Sequence, residues 1–513
     1  MPADRQSLPP AAAAGLAAPS TPEDDTRPTA ASDKRDRTRG IARAGGRAVA
    51  GLVALGVAVT VVGAAIVLPW PSLEVAPASA IVSPTPSEQL RVCPGPLLTL
   101  AEDSSQAQAV TSVGSADSVF AARSDRDEPI TPDASAIDPV DNAAEAPAET
   151  PEQLTVPVAE GATVAPLVSG SQSQVAATET LGGLAVAACA EPANDSWLVG
   201  GSTDVGRSSL VLLSNPTTVL ATVELTVYSE TGIVDAPGAG GILVQPGEQR
   251  AIALAGLAPN LQSPVVRVTS TGGQVAAALE QSSIRGIEPG GVELIGAGTG
   301  PALTQVIAGL RVAIAPGAEQ SPDPDAIPTV RVMTTGTEVA TVQIGVTNAA
   351  ATGTGSSTEV VLQPGIATEV PFADLAVGSY AVSVESDQPV VAAGRASTVG
   401  SAGRDFAWYA SSSALEGDFL VSVAAGPAPT LHLVNTSATD ATVVATPETG
   451  SALSVNVAAG APADLSLAAG TTYRVSGGER LVASVGYAGD GQLSGFTLSA
   501  PGPLAEPIRV YVH

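Results

Sequence analysis

The side chains that could do chemistry in this sequence are few. Histidine occurs twice, as His432 and His513, and cysteine twice, as Cys93 and Cys189. A Ser-His-Asp relay needs a histidine oriented by a carboxylate. His432 stands between Leu431 and Leu433 on an expected strand, where alternation turns it to solvent, opposite two core residues. A Ser-Lys pair has only Lys34 to draw on, the single lysine of the chain. No G-x-S-x-G elbow, phosphate-binding loop or dinucleotide fingerprint is present. Gly296-Ala297-Gly298-Thr299-Gly300 reads as a link between β segments. The sequence therefore assigns no catalytic residue and implies no cofactor.

Carboxylates are abundant, with 50 acidic against 22 basic residues and a net charge of −28. A glycosidase would need two of them facing each other across a cleft, but most lie in tails, linkers and turns, where solvation accounts for them. Asp323-Pro324-Asp325 could hold Ca²⁺ between domains, yet it lacks the rest of a calcium loop and reads as a polar turn. Two cysteines with no histidine nearby make no zinc site. Aromatic residues are 3% of the chain. Their densest cluster is Trp408-Tyr409, after Asp405-Phe406-Ala407, which could form a ligand face for a sugar. Core packing is the competing role for Trp408 and for Trp197.

The elements that must position these groups begin with a membrane segment. From Ala48 to Leu68 the chain reads AVAGLVALGVAVTVVGAAIVL, 21 residues without a charge. As a helix at about 1.5 Å per residue this spans about 31 Å, close to the roughly 30 Å of a bilayer core. Basic residues precede it, ending in Arg43 and Arg47, and Pro69-Trp70-Pro71 follows. The positive-inside rule puts the N-terminus in the cytoplasm and the rest outside, with Arg43, Arg47 and Trp70 at the membrane interfaces. A signal peptide cleaved near Ala76-Pro77-Ala78-Ser79-Ala80 is the competing account, but its apolar core would normally be only about 7–15 residues. Beyond residue 47 the chain holds 14 basic and 44 acidic residues. Such a surface repels phosphate backbones, so no nucleic-acid partner is expected.

After Trp197, short Val-, Leu- and Thr-rich alternating runs are separated by Gly, Pro, Asn and Asp, the pattern of an all-β sandwich. The runs repeat. Leu210–Asn215 (LVLLSN), Thr329–Thr334 (TVRVMT) and Thr430–Asn435 (TLHLVN) each precede an Ala-Thr-Val start, at Ala221, Ala340 and Ala441. Each unit closes on a late strand, at Val275-Ala276-Ala277, Val391-Ala392-Ala393 and Val482-Ala483-Ser484. Arg331 and His432 hold equivalent places. The expected class is mainly β: one transmembrane helix, then about three tandem immunoglobulin-like β-sandwich domains. The boundaries are a disordered cytoplasmic tail over 1–47, the helix over 48–69, an extracytoplasmic spacer over 70–90, a Cys-flanked segment with an acidic low-complexity insertion over 91–189, and sandwiches over 190–303, 304–414 and 415–513. Residues 124–152 have the composition of unstructured chain.

An outer compartment favours oxidation of Cys93 and Cys189 to a disulfide. The bridge would pin Cys93-Pro94-Gly95-Pro96 to the start of the first sandwich and let the acidic insertion loop out; two separate buried thiols are the alternative. Taken with Trp197-Leu198-Val199-Gly200-Gly201-Ser202-Thr203, Leu213-Ser214-Asn215-Pro216 and Ala221-Thr222-Val223, these cysteines make the chain resemble an actinobacterial envelope family, DUF5719. The resemblance implies membrane anchoring and a cell-envelope setting, and it carries over no active-site residue. The expected function is a non-enzymatic scaffold or protein-interaction module at the plasma membrane, with other envelope or membrane proteins as partners. Binding of cell-wall glycan is the alternative, and a carboxylate-dependent hydrolase the third.

Overall fold

The strand Ala221–Ser229 shows how these residues make their sheets. Its side chains alternate between buried (Val223, Leu225, Val227) and outward (Thr222, Glu224, Thr226), so one face is sealed and the other left open. The computed structural model describes residues 79–82, 86–100, 109–124, 126–139, 150–160, 162, 164–314, 324–350, 355–499 and 508–511. They are mainly β-strand and fall within one compact unit, Ser79–Tyr511. The tail, the apolar segment 48–69 and the interface residues Arg43, Arg47 and Trp70 lie outside the described residues. Among the described residues no helix is long and apolar enough to cross a membrane.

Each sequence repeat builds facing layers of antiparallel strands. In the first, one sheet runs Asp195–Val199, Val265–Gly272, Ala221–Ser229. The other runs Glu288–Gly296, Ala276–Arg285, Arg207–Asn215, Glu248–Ala253. Val211 and Leu213 of the second sheet meet Val223, Leu225 and Val227 of the first in one core. In the second repeat the strands Val265–Gly272 and Ala276–Arg285 have a single long counterpart, Gly378–Gly400, which pairs with Ala340–Asn348 early and with Thr329–Thr334 late. Both layers thereby join in one seven-stranded sheet. The third repeat again has two sheets of four strands.

Registers agree across the repeats. Leu212 pairs with Ala251, Arg331 with Glu369 and His432 with Asp464. The turn after the repeated strand is also reused. Asn215 donates through Nδ2 to the carbonyls of Val219 and Val244 while Oδ1 accepts from Thr217, and Asn435 does the same with Thr439, Val457 and Ser437. Removing that amide orphans buried carbonyls, so Asn215→Ala is expected to cost about 1–3 kcal/mol, read as a shift in the urea midpoint.

The Cys-flanked segment departs from expectation. It carries strands within the stretch expected to loop out, including Asp117–Arg123, Asp133–Ala136, Glu152–Val156 and Leu167–Ala177. Low apolar content hid them, because partners elsewhere in the chain supply the order. Leu167–Ala177 is sandwiched between Gly182–Ala188 and Asp117–Arg123, and Asp138–Pro139 adds in parallel to Glu248–Ala253. Its polar residues are buried and bonded: Gln172 exchanges two hydrogen bonds with the backbone of Gly95, at 2.9 and 2.7 Å.

Between segments the packing forms a closed cycle. Leu97, Leu181 and Ala187 of the Cys-flanked segment pack on Leu210, Leu212 and Leu294 of the first repeat. Met333, Val391 and Trp408 of the second join the core of the first, and Leu493 of the third joins the core of the second. Leu184 and Val186 join the core of the third, which closes the cycle. The strands Gly182–Ala188, Glu288–Gly296, Gly403–Ala410 and Gln492–Leu498, one from each segment, meet at the centre.

Candidate functional site

The polar groups that could carry function collect in these seams. A strand whose inner face fills its own sandwich has its other face covered by the preceding segment. The equivalent outward position is accordingly Leu212 where the neighbour is apolar, Arg331 where the neighbour offers carbonyls, and His432, paired with Asp464 of its own repeat, where the neighbour presents the bare backbone of Gly309. His432 is therefore not turned to solvent, as alternation alone implied. It is 4% exposed, with Nδ1 2.7 Å from Asp464 Oδ1. Burial pushes the Asp464 carboxyl up, but the hydrogen bond and charge of His432 outweigh it and hold the group below the usual range. Gly309, at φ +79°, lies flat against the imidazole, and a Cβ there would collide with the ring. The pair has the composition of a general-base dyad, yet its imidazole is buried and only Asp464 reaches solvent.

Arg331 is 1% exposed and faces the first repeat. Its Nη1 donates to the carbonyls of Gly201 (3.0 Å) and Pro264 (2.7 Å), and Nη2 to Gln262 O (3.2 Å) and Glu369 Oε1 (2.7 Å). The guanidinium also lies 4.5 Å from the ring centroid of Trp408. Trp408 and Tyr409 thus form no exposed ligand face. Both are 3% exposed, because their strand is central, and Trp408 Nε1 donates to Gln281 Oε1 across the seam at 2.7 Å. Trp197 is buried too, stacked on Tyr228.

Asp405 sits where all four segments meet. Its Oδ2 accepts the backbone N–H groups of Leu184 (2.8 Å) and Leu493 (3.1 Å), and its Oδ1 those of Phe406 (3.0 Å) and Val292 (3.3 Å). One carboxylate therefore ties the Cys-flanked segment and the first and third repeats to the second. Burial pushes its pKa up to about 8 against the pull of these donors. Nearby, Glu293 accepts from Ser494 Oγ at 2.9 Å, and that hydroxyl accepts Val186 N–H at 2.8 Å. Neither Asp405 nor Glu293 was singled out from the sequence; a lone acid opening the apolar run Phe406-Ala407-Trp408-Tyr409-Ala410 was the available signal.

Two further carboxylates set a pH dependence with a definite sign. Burial drives Glu280 up to about 8 and Glu293 well above the ordinary range. Folding therefore takes up protons above the usual carboxylate pKa near 4. The stability linked to these groups is fully present below that value and is lost as pH rises through about 8. Stability, read in the urea midpoint, is expected to fall between pH 4.5 and about pH 8, by up to about 1.4 kcal/mol per pH unit for each group. Glu280→Gln should flatten that fall.

Asp325 does not offer a calcium ligand set. Its Oδ2 is held by Arg207 and Arg285 and its Oδ1 by Arg395. No group of three or more candidate metal ligands occurs among the described residues. Cys93 and Cys189 do form the disulfide, closing a separation of 96 residues between strands already bridged at Val92 and Ala190. Loop entropy gives its loss, as Cys93→Ser with Cys189→Ser, a cost of about 4–5 kcal/mol at most, read by urea unfolding.

The Trp197–Thr203 run has its own geometry. Gly201, at φ +81°, presents its carbonyl to Arg331, and a Cβ there would press on Leu279 and Ser209 at 2.8 and 2.9 Å. Ser202 and Thr203 then bond the carbonyls of Leu261 and Ala258. A family model described as "Family of unknown function (DUF5719)" matches residues 141–477, well over half of the chain. The chain belongs to the DUF5719 family. The match takes in Cys189, the Trp197–Thr203 run, Arg331, Asp405 and His432, so the seam residues of this DUF5719 protein lie within the family's span. Cys93 and the closing hairpin Leu481–Leu498 lie beyond it. No curated protein and no solved structure matches the chain.

Proposed function

We propose that this DUF5719 protein works by binding, as a rigid non-enzymatic scaffold of the cell envelope. Its three repeats act as immunoglobulin-like sandwiches, with the Cys-flanked segment as a fourth lobe. Residues 48–69 anchor it in the plasma membrane with the N-terminus cytoplasmic, and the β body stands on the outer side. Its partners are other envelope or membrane proteins. One observation carries the reading: the groups best suited to chemistry are buried at seams, with Glu280, Glu293 and Asp405 bonded to backbone or side chains of another segment and His432 paired with Asp464 of its own repeat. Such groups fix a shape, and a fixed shape presents surfaces without an ordering cost on binding.

The test is site-specific photo-crosslinking of the full chain in intact cells, from exposed positions such as Val361, with sedimentation on isolated cell walls alongside. Discrete protein adducts that vanish when the seam variant Asp405→Asn is expressed support the scaffold. Saturable wall binding that survives moderate salt, without protein adducts, would replace it by the glycan reading.

A further inference from the structure

The seam between the first and second repeats opens on one side into a cleft walled by Arg207, Arg285, Arg395 and Arg404. Beyond residue 47 the chain has 14 basic residues against 44 acidic, so four arginines at one spot run against the charge of the whole. Three of them converge on the Asp325 carboxylate. Arg285 and Arg395 approach to 2.7 Å on different oxygens, and Arg207 closes on the same oxygen as Arg285. Among the described residues the acidic groups here include Asp325 itself, Asp204 at 3.8 Å from Arg207, Glu288 paired in register with Arg285, and Asp405 at the cleft wall, already bonded to backbone N–H groups. Convergent guanidinium forks match the oxygens of carboxylate and phosphate. Asp325 shows the fit by supplying two such oxygens from the chain.

The rim is apolar. Val205 and Ile287 are 88% and 91% exposed, the most exposed large aliphatic side chains among the described residues. They sit on two adjacent turns that lead into Arg207 and out of Arg285, and the turns are joined by the Ile284 N–H to Gly206 O bond at 2.7 Å. Two bare aliphatic tips beside a guanidinium cluster have opposite demands, and one ligand chemistry meets both.

We propose that this cleft binds a phosphate monoester carried on an aliphatic chain, with the arginines taking the phosphate oxygens in exchange with Asp325 and Val205 and Ile287 taking the chain. The site goes beyond the scaffold reading and stands or falls without it. The test is calorimetric titration of the purified full chain with butyl phosphate and with inorganic phosphate. Saturable binding of both is expected, with butyl phosphate at least about tenfold tighter, since burying two CH₂ groups at about 0.8 kcal/mol each exceeds the 1.4 kcal/mol that tenfold requires. Val205→Ser with Ile287→Ser, on exposed turns, should erase the tenfold preference and keep phosphate binding. Arg285→Gln with Arg404→Gln should abolish both, and Asp325→Asn, if its circular dichroism is unchanged, should tighten both. No saturable heat from either compound, or binding unchanged in the arginine double variant, overturns the site. Equal affinities for the two compounds overturn its aliphatic half.

Discussion

Replacing Arg331 by methionine will destabilise the folded chain by about 3–5 kcal/mol, the range seen when one partner of a buried ion pair is removed. The methionine fills much of the volume but carries no donor. Glu369 Oε1 and the carbonyls of Gly201, Gln262 and Pro264 then lose their common partner, and all three carbonyls belong to the first repeat. Trp408 loses the cation 4.5 Å from its ring centroid. Lysine should recover little, because a point charge cannot serve four acceptors in the plane of a fork. Glu369 is half-open to water, so Glu369→Gln should cost less than Arg331→Met. Urea unfolding followed by tryptophan fluorescence reads all three. A loss under about 1 kcal/mol for Arg331→Met would mean that the seam does not depend on the guanidinium.

Above about pH 8, where the acid is ionised, Asp405→Asn should cost about 2–6 kcal/mol. Asparagine keeps the shape and one acceptor oxygen. Its NH₂ group, however, must face two backbone N–H donors that now have nothing to meet, each at about 1–3 kcal/mol. The signature is more telling than the size. Leu184, Val292 and Leu493 are far apart in sequence but share this carboxylate, so hydrogen exchange at the three amides should accelerate together. Faster exchange confined to the neighbourhood of residue 405 would show a local bond with no reach across segments.

The sequence made the sheets legible because period-two alternation is local. Ala221–Ser229 buries the side chains that its pattern assigns inward, and the three repeated strands take equivalent registers. What lay beyond the outward face was not legible, since whether Arg331 and His432 meet water or another segment depends on distant chain, 67 to 130 residues away for Arg331. One clue was present. Leu210-Val211-Leu212-Leu213 is apolar on both faces, which marks a strand covered on both sides, and its equivalents in the other repeats could have been read the same way. In the sequence Trp408 and Tyr409 suit a ligand face because tryptophan beside tyrosine matches sugars. Their strand pairs only with Ala393–Gly400, and its packing between Glu288–Gly296 and Gln492–Leu498 decides for burial. The strands of the Cys-flanked segment stayed hidden for a related reason. Ser169 and Ser171 look like linker residues, but they exchange hydrogen bonds with Ser422 of the third repeat, at 2.7 to 3.2 Å.

That mutual dependence is the central claim: four segments share seams so fully that none is a separate bead. Differential scanning calorimetry of the purified full chain tests it most directly. A single transition, with calorimetric and van't Hoff enthalpies in agreement, is the result expected of one cooperative body. Several resolved transitions, each with the enthalpy of a domain of about 100 residues, or roughly 60–80 kcal/mol, would contradict it and return the protein to independent sandwiches on a string.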